Sequence, residues 1–503
     1  MPTTQTTVDA ANSRGKWVLA ATILGSSMAF IDGTVVNVAL PALQNGLHAT
    51  VSDVQWIVES YALLLAALLL VGGSLGDIYG RRRVYLFGVT LFAIGSAACG
   101  FSPTVDLLIL ARAVQGIGAA LLVPGSLALI SASFPPETRG QAIGTWSGAT
   151  AATAAIGPVI GGWLVEHASW RWAFLLNLPL AAAVIVLSLW RVPESRNDRA
   201  PPSLDYPGAI LATLALGGIT YALIELPNNH PRALIATILG LSSLIAFLII
   251  ESKTEQPMIS FALFRNRSFT AANLLTLFLY TALSGMLFFY PLDLIQIQHY
   301  TATQAGAALL PLITLMFLLS RWSGGLVARY GPRLPLTVGP LIAAIGFALA
   351  IVPGIGGSYF TTFFPSILLL GLGMSIAVAP LTTVIMTSLP ENIAGVASGI
   401  NNAVSRLAGL LSVAVLGLVL VTSFNHSLDR HLAPLHLSPQ ARSAVDAQRP
   451  RLAAAQSDDP RIQQAIANSF VHGYRYVLAV TVLLALASAL SAQLITSSRV
   501  RKA

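Results

Sequence analysis

Asp32, Glu59 and Arg112 ionise, yet each falls inside a long apolar run. Asp32 stands in Phe30-Ile31-Asp32-Gly33-Thr34-Val35-Val36-Asn37, Glu59 in Trp56-Ile57-Val58-Glu59-Ser60-Tyr61, and Arg112 in Arg112-Ala113-Val114-Gln115-Gly116-Ile117-Gly118. A charge at the centre of a bilayer costs about 2.5–3.5 kcal/mol or more. Asp32 lies about nine residues, roughly 13 Å, from the end of its run, and Glu59 and Arg112 about six residues, roughly 9 Å, into theirs. At these depths the three can meet in one layer. Desolvation drives a carboxylate toward its neutral form and a nearby arginine favours the charged one, so a group balanced between them can load and release protons. Asp32, Glu59 and Arg112 are therefore the expected proton-coupling set. The plainer alternative is a static ion pair joining helices, with Glu59 facing water.

The runs that must position these residues dominate the chain. Of its 503 residues 55% are hydrophobic and only 10% charged, against about 25% charged in soluble proteins, and the mean hydropathy is +0.73. The chain reads as an all-α polytopic membrane protein. Fourteen runs are long enough to cross a bilayer, which takes about 20 residues. They lie near 16–40, 53–75, 84–101, 105–129, 140–165, 172–191, 206–225, 231–251, 268–292, 303–322, 334–353, 358–381, 393–422 and 472–494. The first is too long for a signal-peptide core of about 7–15 residues and should stay as an anchor. Cys99, the single cysteine, excludes an internal disulfide.

Between the second and third runs stands Gly72-Gly73-Ser74-Leu75-Gly76-Asp77-Ile78-Tyr79-Gly80-Arg81-Arg82-Arg83. Three consecutive arginines in a short loop fix it on the cytoplasmic side. With that side fixed, eighteen of the 28 Lys and Arg residues fall in cytoplasmic loops or tails, Arg199, Arg499, Arg501 and Lys502 among them. The short outer loops hold only Arg171 and Arg232, while the long segment 423–471 is exempt from the rule. The net charge of +8 thus reports topology rather than affinity for nucleic acid. Asp77 can pair with Arg81 or Arg82, or sit near the N-terminus of the next helix, where negative charge is favoured. Gly76, Asp77, Gly80, Arg81 and Arg82 form the expected conformational gate; a bare orientation signal with a tight turn is the alternative. Gly325-Leu326-Val327-Ala328-Arg329-Tyr330-Gly331-Pro332-Arg333 repeats the pattern, with Ala328 in place of Asp77.

The pattern Gly-x-Leu-Gly-Asp-x-x-Gly-Arg-Arg-Arg resembles the signature loop of the major facilitator superfamily of secondary transporters. Arg112-x-x-Gln115-Gly116-x-Gly118 resembles that superfamily's motif whose arginine is linked to proton movement. Gly157-Pro158-Val159-Ile160-Gly161-Gly162 resembles the motif of its drug exporters, where proline bends the helix and the glycines let a neighbouring span slide close. Trp170-Arg171-Trp172-Ala173-Phe174 is similar to a stretch of the fourteen-span drug:proton antiporters. Departures are Glu59, Ala151 and Thr153. The resemblance, from Trp17 to Leu494, implies two six-helix bundles with two extra central helices. Its divisions would be a cytoplasmic tail 1–15, an N-terminal bundle 16–200, two additional helices 201–255, five helices of the C-terminal bundle 256–422, an extracytoplasmic segment 423–471, the last helix 472–494 and a tail 495–503.

The expected function is proton-coupled export of small amphipathic compounds by alternating access. Asn37, Trp56, Tyr61, Gln115, Asn402 and Arg406 are the expected lining of the substrate cavity. Arg406 can repel cations or hold an anionic group, or simply bond carbonyls between helices. An importer or facilitator of one metabolite is the alternative. A membrane-embedded lipid-linked transferase would need paired acids, and the adjacent pair Asp458-Asp459 has no partner. No Gly-x-x-x-x-Gly-Lys sequence occurs, so no nucleotide site is implied; no cofactor or metal is expected, and the proton gradient is the expected source of energy. Expected partners are the substrate, protons and the bilayer, with a periplasmic adaptor protein as a further candidate and no nucleic acid. The protein should act as a monomer in the bacterial cytoplasmic membrane with both termini inside. All eight histidines fall on the outer side, and Asp293 and Glu225, at outer span ends, should be solvated. Two short helices are expected within 423–471, starting at Ser438-Pro439 and Asp459-Pro460.

Overall fold

Backbone amides in hydrocarbon must be satisfied within their own segment, and this composition answers with helices. The computed structural model describes residues 4–196, 205–227, 229–254, 261–389 and 394–496, and no strand occurs among them. Arg199, Arg499, Arg501, Lys502, the expected divisions at 200/201 and 255/256, and the side chains of Arg14 and Ala151 lie outside the described residues.

Fourteen described helices are long and apolar enough to span a membrane. Spans one to seven are Gly15–Gly46, Val51–Tyr79, Arg81–Phe101, Val105–Ser133, Gln141–His167, Trp172–Arg191 and Tyr206–Glu225. Spans eight to fourteen are His230–Lys253, Arg267–Ile297, Ala302–Ser320, Arg333–Ile351, Phe364–Thr387, Val396–Leu435 and Pro460–Leu494. Each matches an expected run. The difference lies in spans thirteen and fourteen, which reach 40 and 35 residues. Ser438 does cap a short helix, Pro439–Gln448. Asp459, however, caps Pro460–Ser491, which runs unbroken into the last span; its first turns carry Gln and Asn, polar enough for water but with nothing to stop a helix.

Among the described residues the chain divides into two compact units, one of 4–39 and 57–213 and the other of 40–56, 214–254 and 261–496. In the first unit small residues set the spacing. A Cβ on Gly118 would come 2.4 Å from the Phe92 nitrogen, and one on Gly95 would come 2.7 Å from the Gln115 nitrogen, so spans three and four pack backbone to backbone. Met28, Tyr85, Val89, Phe92 and Leu122 fill the core beside them. In the second unit Gly339 and Gly373 play the same part between spans eleven and twelve, and Gly218 and Gly240 between spans seven and eight. Its core holds Phe269, Leu279, Met286, Phe347, Leu370 and Met374.

Gly80 turns the chain between spans two and three at φ +106°, a conformation that suits glycine alone. Gly331 repeats the device at φ +74° in the second unit, where Arg333 Nε donates to the Ile495 carbonyl at 2.5 Å.

Candidate functional site

The Asp32 carboxylate lies in the interior of the first unit, 0% exposed, and Arg112 is 1% exposed beside it. Arg112 Nη1 donates to Asp32 Oδ2 at 2.5 Å, Gln115 Nε2 to Oδ1 at 2.8 Å and Asn177 Nδ2 to Oδ1 at 3.3 Å. Arg112 also donates from Nε to the Ile57 carbonyl at 3.0 Å and from Nη1 to Gln115 Oε1 at 2.8 Å. Its guanidinium lies 4.2 Å from the centroid of the Tyr61 ring and 5.8 Å from that of Phe174. Ser96 Oγ accepts from Gln115 Nε2 at 3.3 Å and Asn177 Nδ2 at 3.0 Å, and donates to the Phe174 carbonyl at 2.8 Å. Cys99 Sγ donates to Gln115 Oε1 at 3.7 Å. One hydrogen-bonded network therefore ties together spans one, two, three, four and six.

Local sequence explains why it forms. Arg112 and Gln115 are three apart on span four and share a face. Gly116 lets that face approach span two, since a Cβ there would stand 2.5 Å from the Tyr61 carbonyl oxygen. Gly157 and Gly161 do the same for span five: Cβ atoms would come 2.2 Å from Thr34 Oγ1 and 2.7 Å from Val35 Cγ1. Span five thus rests on the segment of span one that carries Asp32, with Pro158 and Gly162 also buried.

Glu59 does not join this network. It is 0% exposed, and neither of its oxygens has a hydrogen-bond partner. It lies two residues from both Ile57 and Tyr61, roughly 200° round the helix from each, so it turns away from the Arg112 side. It does not meet Arg112 as expected, and the alternative that it faces water is corrected by its burial.

The candidate cavity residues part company. Tyr61 and Gln115 belong to the network, and Asn37 is half-buried on span one. Trp56 packs on Tyr221 of span seven, centroids 5.8 Å apart. Asn402 is exposed and Arg406 half-buried on span thirteen, with Tyr280 in the electrostatic reach of Arg406. Next to them Asn401 Nδ2 donates to Asn273 Oδ1 at 3.2 Å and Thr276 Oγ1 at 2.7 Å. Sequence reasoning singled out neither Ser96 nor Asn177 as functional; a serine and an asparagine in apolar spans were the available signal.

The family model described as Major Facilitator Superfamily matches residues 22–413. The chain belongs to the major facilitator superfamily. Curated relatives include the tetracenomycin C resistance and export protein of Streptomyces glaucescens, 35% identical over 82% of this chain and 78% of that protein. Another is the multidrug resistance protein Stp of Mycobacterium tuberculosis, 35% identical over 86% of this chain and 82% of that one. Among solved structures, a bacterial homologue of the human lysosomal transporter Spinster, inward-facing and unoccupied, superposes with a TM-score of 0.69. It covers 96% of this chain and 98% of its own at 18% identity, a likeness of fold.

The superfamily's signature loop has a geometry of its own here. Arg81 Nε donates to Asp77 Oδ1 at 2.8 Å, one turn along the chain. The N-terminus of span three is taken by a different acid, Glu194, beyond span six: its carboxylate accepts from the backbone amides of Arg82 at 3.0 Å and Arg83 at 3.2 Å. Arg82 Nη1 donates to the Val192 carbonyl at 3.0 Å and the Arg81 amide to the Ser195 carbonyl at 2.8 Å. Gly76 is buried, and a Cβ on Gly80 would meet Glu194 Oε1 at 2.9 Å. The loop is thus a clasp between spans two, three and six.

Proposed function

We propose that this chain exports small amphipathic compounds, antibiotics among them, across the bacterial cytoplasmic membrane in exchange for protons. Both termini are cytoplasmic in this reading, the transporter works as a monomer, and the proton gradient replaces any cofactor. The observation that carries it is the enclosed Asp32–Arg112 pair, in a chain whose relatives are named for resistance and export.

A proton arriving from outside on Asp32 cancels the charge that holds Arg112. Arg112 keeps the Ile57 carbonyl, Gln115 and the Tyr61 face, so it remains compensated while its tie to span one is cut. Spans one and four then share a bond in one protonation state and not in the other, which is the requirement for a two-state element. Gly157 and Gly161 give span one a smooth surface on span five along which to shift. Return of Arg112 to Asp32 on the cytoplasmic side expels the proton. Glu59, buried with no hydrogen bond to its carboxylate, is the second buried acid of the first unit and tunes the pH range and the acceptance of cationic substrates.

The test is accumulation of a panel of dyes and antibiotics in cells with and without the gene. Lower accumulation of some members is expected with the wild type and not with Asp32→Asn. Equal accumulation across the panel, with the protein present in the membrane, would contradict export.

A further inference from the structure

A buried acid of the second unit has no place in that mechanism. Asp293 opens a π-helical turn, Asp293–Ile297, at the end of span nine that the topology makes outer. It is 3% exposed, which corrects the expectation that it is solvated. π turns arise where one extra residue is held in a helix, and they gather at functional positions. Asp293 forms no ion pair among the described residues, and its one side-chain hydrogen bond is a long one, 3.5 Å from Gln298 Nε2.

The groups around it are polar and unsatisfied. Tyr290, Asp293, Gln298, Phe363, Tyr474 and Arg475 line a cavity of about 10 Å³, on the order of one water molecule. The hydroxyls of Tyr290 and Tyr474 and the Nε of Arg475 are buried with no hydrogen-bond partner. Arg475 spends its Nη2 on the carbonyls of Val352 and Pro353, at 3.3 and 3.1 Å. The other titratable and charged groups near the cluster are Tyr300, which follows span nine, Tyr359 before span twelve, and Arg451 on the turn Arg449–Ala454, which packs against the π turn. Span eleven and the segment between it and span twelve bring only Ala350, Pro353, Gly354 and Phe363. Gln298 closes the outer mouth: Nε2 donates to the Gly354 carbonyl at 2.9 Å, and Oε1 accepts from the Gly356 amide at 2.8 Å.

The geometry points to Asp293 as a second proton-binding site, holding one proton on its carboxylate and one water between that carboxylate, the two phenols and Arg475. Four buried polar groups that make no hydrogen bond to one another can be satisfied together by a single bridging water. Burial favours a proton on the carboxylate, and Arg475 across the cavity, its Nη2 already engaged by two carbonyls, acts against it. The proton comes from outer water past Gln298 and returns the same way, so outer pH sets the hold of Gln298 on the loop 353–357. The cavity is too small for a drug molecule. This inference rests on the proposed topology for its outer side, but proton binding itself is independent of transport.

Infrared titration of the purified full-length protein tests it. The wild type should show a protonated-carboxyl band that Asp293→Asn loses and Asp32→Asn keeps. Tyr290→Phe and Tyr474→Phe should retain the band and displace the pH at which it disappears. Spectra of wild type and Asp293→Asn that coincide across the titration would overturn the site. Should Asp293→Asn not fold, the phenylalanine variants decide: an unmoved midpoint in both would overturn it equally. A band that behaves as stated in a protein that moves no protons with substrate would leave this site standing and remove the coupled-export reading.

Discussion

At the scale of single residues, Arg112 and Asp32 differ in what their loss leaves behind. Arg112→Ala strands a carboxylate in the interior of the first unit, and breaking a buried pair in this way costs about 3–5 kcal/mol. Asp32→Asn keeps the shape of the side chain and leaves Arg112 with the Ile57 carbonyl, Gln115 and Tyr61. Arg112→Ala should therefore lower the melting temperature and yield markedly, and Asp32→Asn much less, while both lose gradient-driven efflux. Thermal melting of the wild type and the two purified variants checks this; an Asp32→Asn protein that melts as low as Arg112→Ala would contradict it. The pair was legible in the sequence because a charge in an apolar run demands a partner. Glu59 was not: its depth could be counted, but which side of span two faces Arg112 is decided by Tyr61 and Ile57. Asp293 was misread because counting to the end of a run gives depth and says nothing of the loops and phenols folded over it.

At the scale of elements, glycine spacing separates close approach from mere flexibility. Gly157→Leu would drive a side chain into Thr34, whereas Gly144, earlier on span five, has nothing within 4 Å of its Cβ position. Gly157→Leu should abolish export with the protein still inserted, and Gly144→Ala should be near neutral; the dye assay with a membrane immunoblot reads both. In the arginine loop, Glu194→Gln removes the charge that caps span three, a contribution of about 0.3–1 kcal/mol at an exposed helix end. Gly80→Ala adds a strained backbone of about 1–3 kcal/mol. Gly80→Ala should thus raise protease cleavage at this loop more than Glu194→Gln does, and cleavage of both variants at the wild-type rate would remove the clasp. The loop's sequence announced the turn and the Asp77–Arg81 pair. Glu194 was hidden by more than a hundred intervening residues, a separation that only tertiary packing closes. Spans thirteen and fourteen overran their expected bounds because 423–432 and 461–471, which flank the apolar runs, contain no proline or glycine.

At the scale of the whole molecule, fourteen spans were legible because hydropathy and the obligation to satisfy every backbone amide leave few alternatives. Reporter fusions after Lys253 and Ala455 should read cytoplasmic and outer respectively, and the opposite reading at either site would break the topology on which the direction of proton flow depends. The central claim is that substrate and protons exchange through Asp32. Its most direct test is proton flux in proteoliposomes on addition of a substrate identified by the dye panel, with wild type, Asp32→Asn and Glu59→Gln side by side. Wild type should move protons against substrate, Asp32→Asn should bind substrate without moving protons, and Glu59→Gln should move both with a shifted pH optimum. Proton-for-substrate exchange by Asp32→Asn at the wild-type ratio would contradict the account and leave the Asp32–Arg112 pair a structural tie.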